Sequence, residues 1–179
     1  SDVATLKRID VQDGVLSVGA CTTLSRLLSF FSAGACRSEA MVNLLKRFGS
    51  KQIRNRATIG GNLCSASPIG DLIPALLVLE ATAVLTRANG SRILALEEYI
   101  EGYRKTALAK DEYLSKISLS IPESWSSFAF RKLSKRYEDD ISSVSIAVFL
   151  LHDNVRINEI RIALGGAGDR ALRLFEVEN

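Results

Sequence analysis

The sequence has 179 residues, of which 47% are hydrophobic and 24% charged, with a formal net charge of +3. That balance is ordinary for a globular protein and provides enough chain for one large domain or two small ones around a buried core. So small a positive excess gives no ground for nucleic acid or a membrane surface as partner, and no apolar run is long enough to span a bilayer.

In chain order, residues 1–14 read as irregular and Val15 to Ala20 as a short strand. Thr22 or Thr23 can then cap a helix reaching about Phe31. Ala40, Leu44, Leu45 and Phe48 recur at helical spacing, and Gly49 can end that second helix. Asp71 opens a third helix, DLIPALLVLE, with a carboxylate at its positive end and Pro74 in the first turn, where its missing N–H costs little. Ala83 to Thr86 and Arg92 to Leu94 flank Asn89-Gly90, a hairpin signal. A short helix near Leu96 to Ile100 follows. Leu114 to Ile121, Phe128 to Leu133, Val144 to Leu151 and Arg156 to Leu164 read as further strands, and Ala171 to Leu174 as the start of a helix. Pro122 and the serines around it mark an internal boundary. The single histidine, His152, reads as an incidental strand-end residue. Cys21, Cys36 and Cys64 form no CxxC pair, so this chain alone builds neither a zinc site nor an iron–sulfur cluster. They read as reduced thiols, and with no signal peptide the expected location is the cytoplasm.

The segment KQIRNRATIGGNLCSASPIGD, Lys51 to Asp71, carries the chemistry. Between Glu39 and Asp71 there is no acidic residue, while Lys46, Arg47, Lys51, Arg54 and Arg56 lie close together. Such a run raises the local concentration of anions. A tight loop over Thr58-Ile59-Gly60-Gly61-Asn62 would let backbone N–H groups approach a diphosphate, with Thr58, Asn62, Ser65 and Ser67 as further donors. Asp71 suits polyol hydroxyls rather than phosphate. The pattern is neither GxGxxG nor GxxxxGK, and Phe48 is the one aromatic near the run, too few for a single-strand binder.

RFGSKQIRNRATIGGNLCSASPIGD resembles the second flavin-binding segment of the FAD domain in the xanthine dehydrogenase family of molybdenum hydroxylases. GACTTLSRLL, GYRKTAL, FRKLSKRYEDDIS and IRIALGGAG resemble other stretches of that family in the same order, so the likeness covers nearly the whole chain. The GYRKT and EDDIS stretches look most like xanthine dehydrogenase proper, including bacterial small subunits. The resemblance implies an α+β fold. Residues 1–123 would be a partial FAD-binding subdomain lacking its first βαβ unit, and 124–179 a truncated C-terminal α+β subdomain with an antiparallel sheet of three or four strands. A first glycine-rich loop of the A-G-G-T type has no counterpart before Val15. The expectation is therefore a fragment holding half of the phosphate cradle and inactive alone.

By the same resemblance, Thr58, Ile59, Gly60, Gly61 and Asn62 would lie against the FAD diphosphate and Asp71 against the ribityl chain. Phe48 and Leu114 would lie near the isoalloxazine. Arg131 and Lys132 both fit the basic residue that approaches the ring. Glu138, Asp139 and Asp140 resemble the loop that flanks the flavin and influences access of the acceptor. The implied role is passage of electrons from [2Fe–2S] clusters through FAD to NAD. The molybdenum cofactor and the clusters would sit in partner domains or subunits of a hetero-oligomer. Two other readings stay open: a non-catalytic nucleotide- or phosphate-binding module, and a structural interaction subunit whose glycines serve turns only.

Overall fold

The computed structural model describes residues 3–122, 127–137, 139–153 and 155–178. The expected boundary between 123 and 124 lies outside the described residues, as does Glu138. The fold is α+β, as expected, with helices packed on antiparallel sheets.

The opening stretch is more regular than the sequence indicated. A 3-10 turn at Thr5–Lys7 leads into β1 (Ile9–Gln12), paired antiparallel with β2 (Val15–Gly19). Asp13 and Gly14, both with positive φ (50° and 74°), make the two-residue turn that matches strand twist. β3 (Thr82–Arg87), β4 (Gly90–Ala95) and β7 (Tyr113–Ser120) complete a five-stranded sheet in the order β1-β2-β7-β3-β4. The hairpin expected at Asn89-Gly90 is present, with Arg87 opposite Gly90. Between β4 and β7 lie the short helix α6 (Leu96–Tyr99) and a small ladder, β5 (Ile100–Gly102) with β6 (Lys105–Thr106), whose turn carries Tyr103-Arg104 of the GYRKT stretch.

The helical layer comes from the first half of the chain. Thr23, not Thr22, caps α1 (Leu24–Ser32), its side chain accepting the Arg26 N–H. Ser38 caps α2 (Glu39–Lys46) in the same way. α3 (Lys51–Arg54) and α4 (Ile59–Cys64) are short, and α5 (Leu72–Val78) is buried along its entire length. α5 packs on β9 (Val144–His152) and β10 (Ile157–Gly165), which with β8 (Phe128–Leu133) and β11 (Leu172–Arg173) form a second sheet, ordered β11-β10-β9-β8. The helix expected at Ala171 to Leu174 is corrected: Leu172 and Arg173 pair with Leu164 and Ala163, and helix starts only at α7 (Phe175–Glu178). One apolar core runs through both sheets, from Leu16 and Val18 through α5 to Phe130, Phe149 and Ala163.

Candidate functional site

A cavity of about 400 Å³ opens where the end of α2, the loop between α4 and α5, and the segment after β8 converge. Phe48, Gly49 and Ile53 form one wall, Asn62 and the Ser67 to Asp71 loop another. Lys132, Arg136 and the stretch Asp139 to Ser142 close the third side.

The electrostatics centre on a buried ion pair. Along β8 the exposure alternates, so Phe128, Phe130 and Lys132 face inward while Arg131 faces solvent. Lys132 Nζ lies 2.7 Å from Asp71 Oδ2, with side chains only 3% and 7% exposed. The same ammonium donates to the Asp140 carbonyl at 2.8 Å and the Arg47 carbonyl at 3.3 Å, while Ser142 Oγ donates to Asp71 Oδ1. Buried charges persist when they are paired and hydrogen-bonded, and both conditions hold here. Asp71 occupies the cap position of α5 but makes no side-chain cap bond. Its carboxylate serves the cavity instead of the helix end.

The segment after β8 is folded around Asp140. The Arg136 N–H bonds its carboxylate at 2.7 Å and the Ile141 N–H at 2.9 Å. These amides, Arg136 first, hold the Asp140 carboxyl below the usual range. Asp139, with φ of 50°, is exposed and lies at the cavity mouth. Arg47 spans the gap, donating to the Lys132 carbonyl at 2.8 Å and to Ser134 Oγ at 3.1 Å, with its guanidinium 5.0 Å from the Tyr137 ring centroid.

The expected glycine loop is a helix. Thr58 caps α4, its Oγ1 accepting the Gly61 N–H at 3.0 Å, and Ile59 N, Gly60 N and Asn62 N donate to the carbonyls of Thr22, Ala20 and Thr58. The amides of Ile59, Gly60, Gly61 and Asn62, expected to cradle a diphosphate, are thus bonded within the chain. Gly60 is required by close packing: a Cβ there would lie 2.7 Å from the Ala20 Cβ and carbonyl oxygen.

The cavity gathers seven of the expected residues: Phe48, Asn62, Ser67, Asp71, Lys132, Asp139 and Asp140. Thr58, Ile59, Gly60 and Gly61, at the start of α4, are not among its lining residues, Leu114 is 6% exposed within β7 opposite Leu85, and Arg131 points away. Ile53, Ile69, Arg136, Ile141 and Ser142 were not foreseen. Ile53 comes from α3 and Ile69 from the loop between α4 and α5, while the folded path of the segment after β8 brings in Arg136, Ile141 and Ser142. The polar floor suits a ligand with hydroxyl groups. Asn62 Oδ1 is buried without a protein partner among the described residues, an acceptor left open on the cavity side. Together with the Asp71 carboxylate it matches a polyol chain, and Phe48, Ile53, Ile69 and Ile141 match a flat apolar ring system.

Residues 1–123 match the profile described as FAD binding domain in molybdopterin dehydrogenase, and residues 129–179 match the CO dehydrogenase flavoprotein C-terminal domain. Xanthine dehydrogenase of Blastobotrys adeninivorans is 38% identical over 133 residues, covering 72% of this chain and 9% of that protein. Caffeine dehydrogenase subunit beta of Pseudomonas sp. (strain CBB1) is 29% identical over 182 residues, covering 99% of this chain and 60% of that subunit. Among solved structures, reconstituted CO dehydrogenase from Oligotropha carboxidovorans superposes with a TM-score of 0.88 at 26% identity, over 97% of this chain and 60% of the matched one. The chain therefore spans well under two thirds of the length of these relatives.

Proposed function

Because this chain belongs to the family of FAD-binding domains in molybdopterin dehydrogenases, we propose that it holds the flavin of a molybdenum hydroxylase resembling xanthine dehydrogenase. In that reading electrons arrive from [2Fe–2S] clusters and leave to NAD, with the clusters and the molybdenum cofactor carried by partner domains or subunits of a hetero-oligomer in the cytoplasm. The observation that carries the reading is the cavity itself, which joins Phe48, Asn62 and Asp71 from one matched segment with Lys132 and Asp139 from the other. The division into subdomains at 123 and 124 is part of the same proposal.

FAD supplies the redox chemistry, accepting electrons and yielding a hydride to the nicotinamide; the protein orients and tunes it. Phe48 and the isoleucines give the ring an apolar wall that excludes water. Asn62 Oδ1 would accept from a ribityl hydroxyl, and Asp71 would offer its remaining lone pairs to another. Lys132 holds Asp71 in place; it already donates to three acceptors and would act on the bound cofactor through Asp71. Asp139, at the mouth, would disfavour negative charge on a bound ring by Coulomb repulsion. Diphosphate contacts fall to the Thr58 hydroxyl and neighbouring side chains, because the α4 amides are engaged.

The test is a titration of FAD, followed by flavin absorbance, into this chain and into a polypeptide extended upstream by one βαβ unit. Asn62→Ala removes an acceptor with no internal partner, so it should weaken FAD binding by roughly tenfold while leaving stability within about 0.5 kcal/mol. Failure of both polypeptides to bind FAD would sink the flavin reading.

A further inference from the structure

We propose that Arg54, which does not line the cavity, is the positioning residue that fixes the cavity's aromatic wall; this rests on the flavin reading above. In the sequence Arg54 belongs to the basic run and looks like one more charge drawing in an anion. In the structure its charge is used internally. Nη1 lies 3.0 Å from the Lys46 carbonyl oxygen, 3.2 Å from that of Phe48 and 2.6 Å from that of Gly49. Those carbonyls are the last of α2 and the turn beyond it, groups that a helix leaves unsatisfied and that favour a cation. Arg54 is half-buried, whereas Lys46, Lys51 and Arg56 of the same run are exposed.

The turn is also held from its other side. Gly49 has φ of +52°, and a Cβ on it would meet Ile53 Cγ2 at 3.0 Å. The Phe48-Gly49 backbone is thus gripped between the Arg54 head and the Ile53 side chain, two neighbours on the single turn of α3. Phe48, Gly49 and Ile53 all line the cavity. One guanidinium therefore sets where the Phe48 ring stands relative to anything bound there. This is a role for geometry rather than for net charge, and salt separates the two, because screening weakens long-range attraction and leaves part-buried hydrogen bonds intact.

The experiment compares Arg54→Gln, Gly49→Ala and Lys51→Gln with wild type, using whichever polypeptide binds FAD, with folding checked by circular dichroism. Arg54→Gln should weaken FAD binding by roughly tenfold at both low and high salt and shift the visible flavin band. Gly49→Ala, which moves the same wall from the other side, should reproduce the band shift. Lys51→Gln should have only a small effect that vanishes in high salt. Wild-type affinity and spectrum in Arg54→Gln, or a loss that high salt abolishes, would overturn the proposal. Amide exchange at residues 48–50 provides a reading without flavin. It should quicken in Arg54→Gln, and an unchanged rate refutes the positioning role whether or not FAD binds.

Discussion

Lys132 shows what a single side chain can be asked to do. It is buried with three acceptors around it, one a carboxylate on a different structural layer, so its removal leaves Asp71 charged and out of water. Lys132→Met should cost about 3–5 kcal/mol in urea unfolding, and the double variant Asp71→Asn with Lys132→Met should recover most of that loss. A double variant as unstable as the single would show that the pair does not carry the energy. Which of Arg131 and Lys132 faces inward was legible in principle: Phe128, Phe130 and Lys132 share one face of a strand, as alternation dictates. The partners were not legible. Asp71 and Ser142 are 71 positions apart, and nothing local announces that a serine hydroxyl takes one of the carboxylate oxygens.

Elements with a clear period were readable from sequence: α1, α2, α5, the β3–β4 hairpin and β8 to β10. Elements defined by a neighbour were not. β1 becomes a strand by pairing with β2, and α4 is a helix despite two glycines, which have poor helix propensity, because Thr58 caps it and Gly60 nests against Ala20. The glycine stretch reads as a loop rather than a helix for this reason, although its amides form the first turn of a packed helix. The tie between β4 and the start of β7 gives a prediction at this scale. Glu112 accepts from Arg92 Nε and Nη2, both at 2.8 Å, and from the Ala109 N–H at 3.0 Å. Arg92's hydrogen bonds, above all, hold its carboxyl down to about 2 from an ordinary 4.5. The folded value is the lower one, so the stabilisation is fully present above pH 4.5 and is lost as pH falls toward 2. The stability difference between wild type and Glu112→Gln should shrink through that window; a constant difference would show that the pair does not titrate with folding.

At the scale of the molecule, two segments that match separate family profiles share one core. Every side chain of α5 is buried, and the helix packs on β9 and β10 although it belongs to the first segment. Glu80, just beyond it, pairs with Arg161 at 2.6 Å and Arg173 at 3.2 Å across the same seam. A chain ending at residue 122 should therefore lose its cooperative unfolding transition and bind a hydrophobic dye, while the full chain should melt in one step. A cooperative transition in the shortened chain would show that the first segment stands alone. The order of the larger sheet carries a further consequence, for the history of each molecule. β7 is its central strand, with Val15 of β2 opposite Ser120, so the β1–β2 hairpin must wait until β7 has been made before its inner edge is covered. Pairings so distant along the chain close slowly and leave strand edges bare in the interval. Nascent chains of this fold are exposed to aggregation between the synthesis of β2 and that of β7, and their yield in a cell depends on how well that interval is guarded.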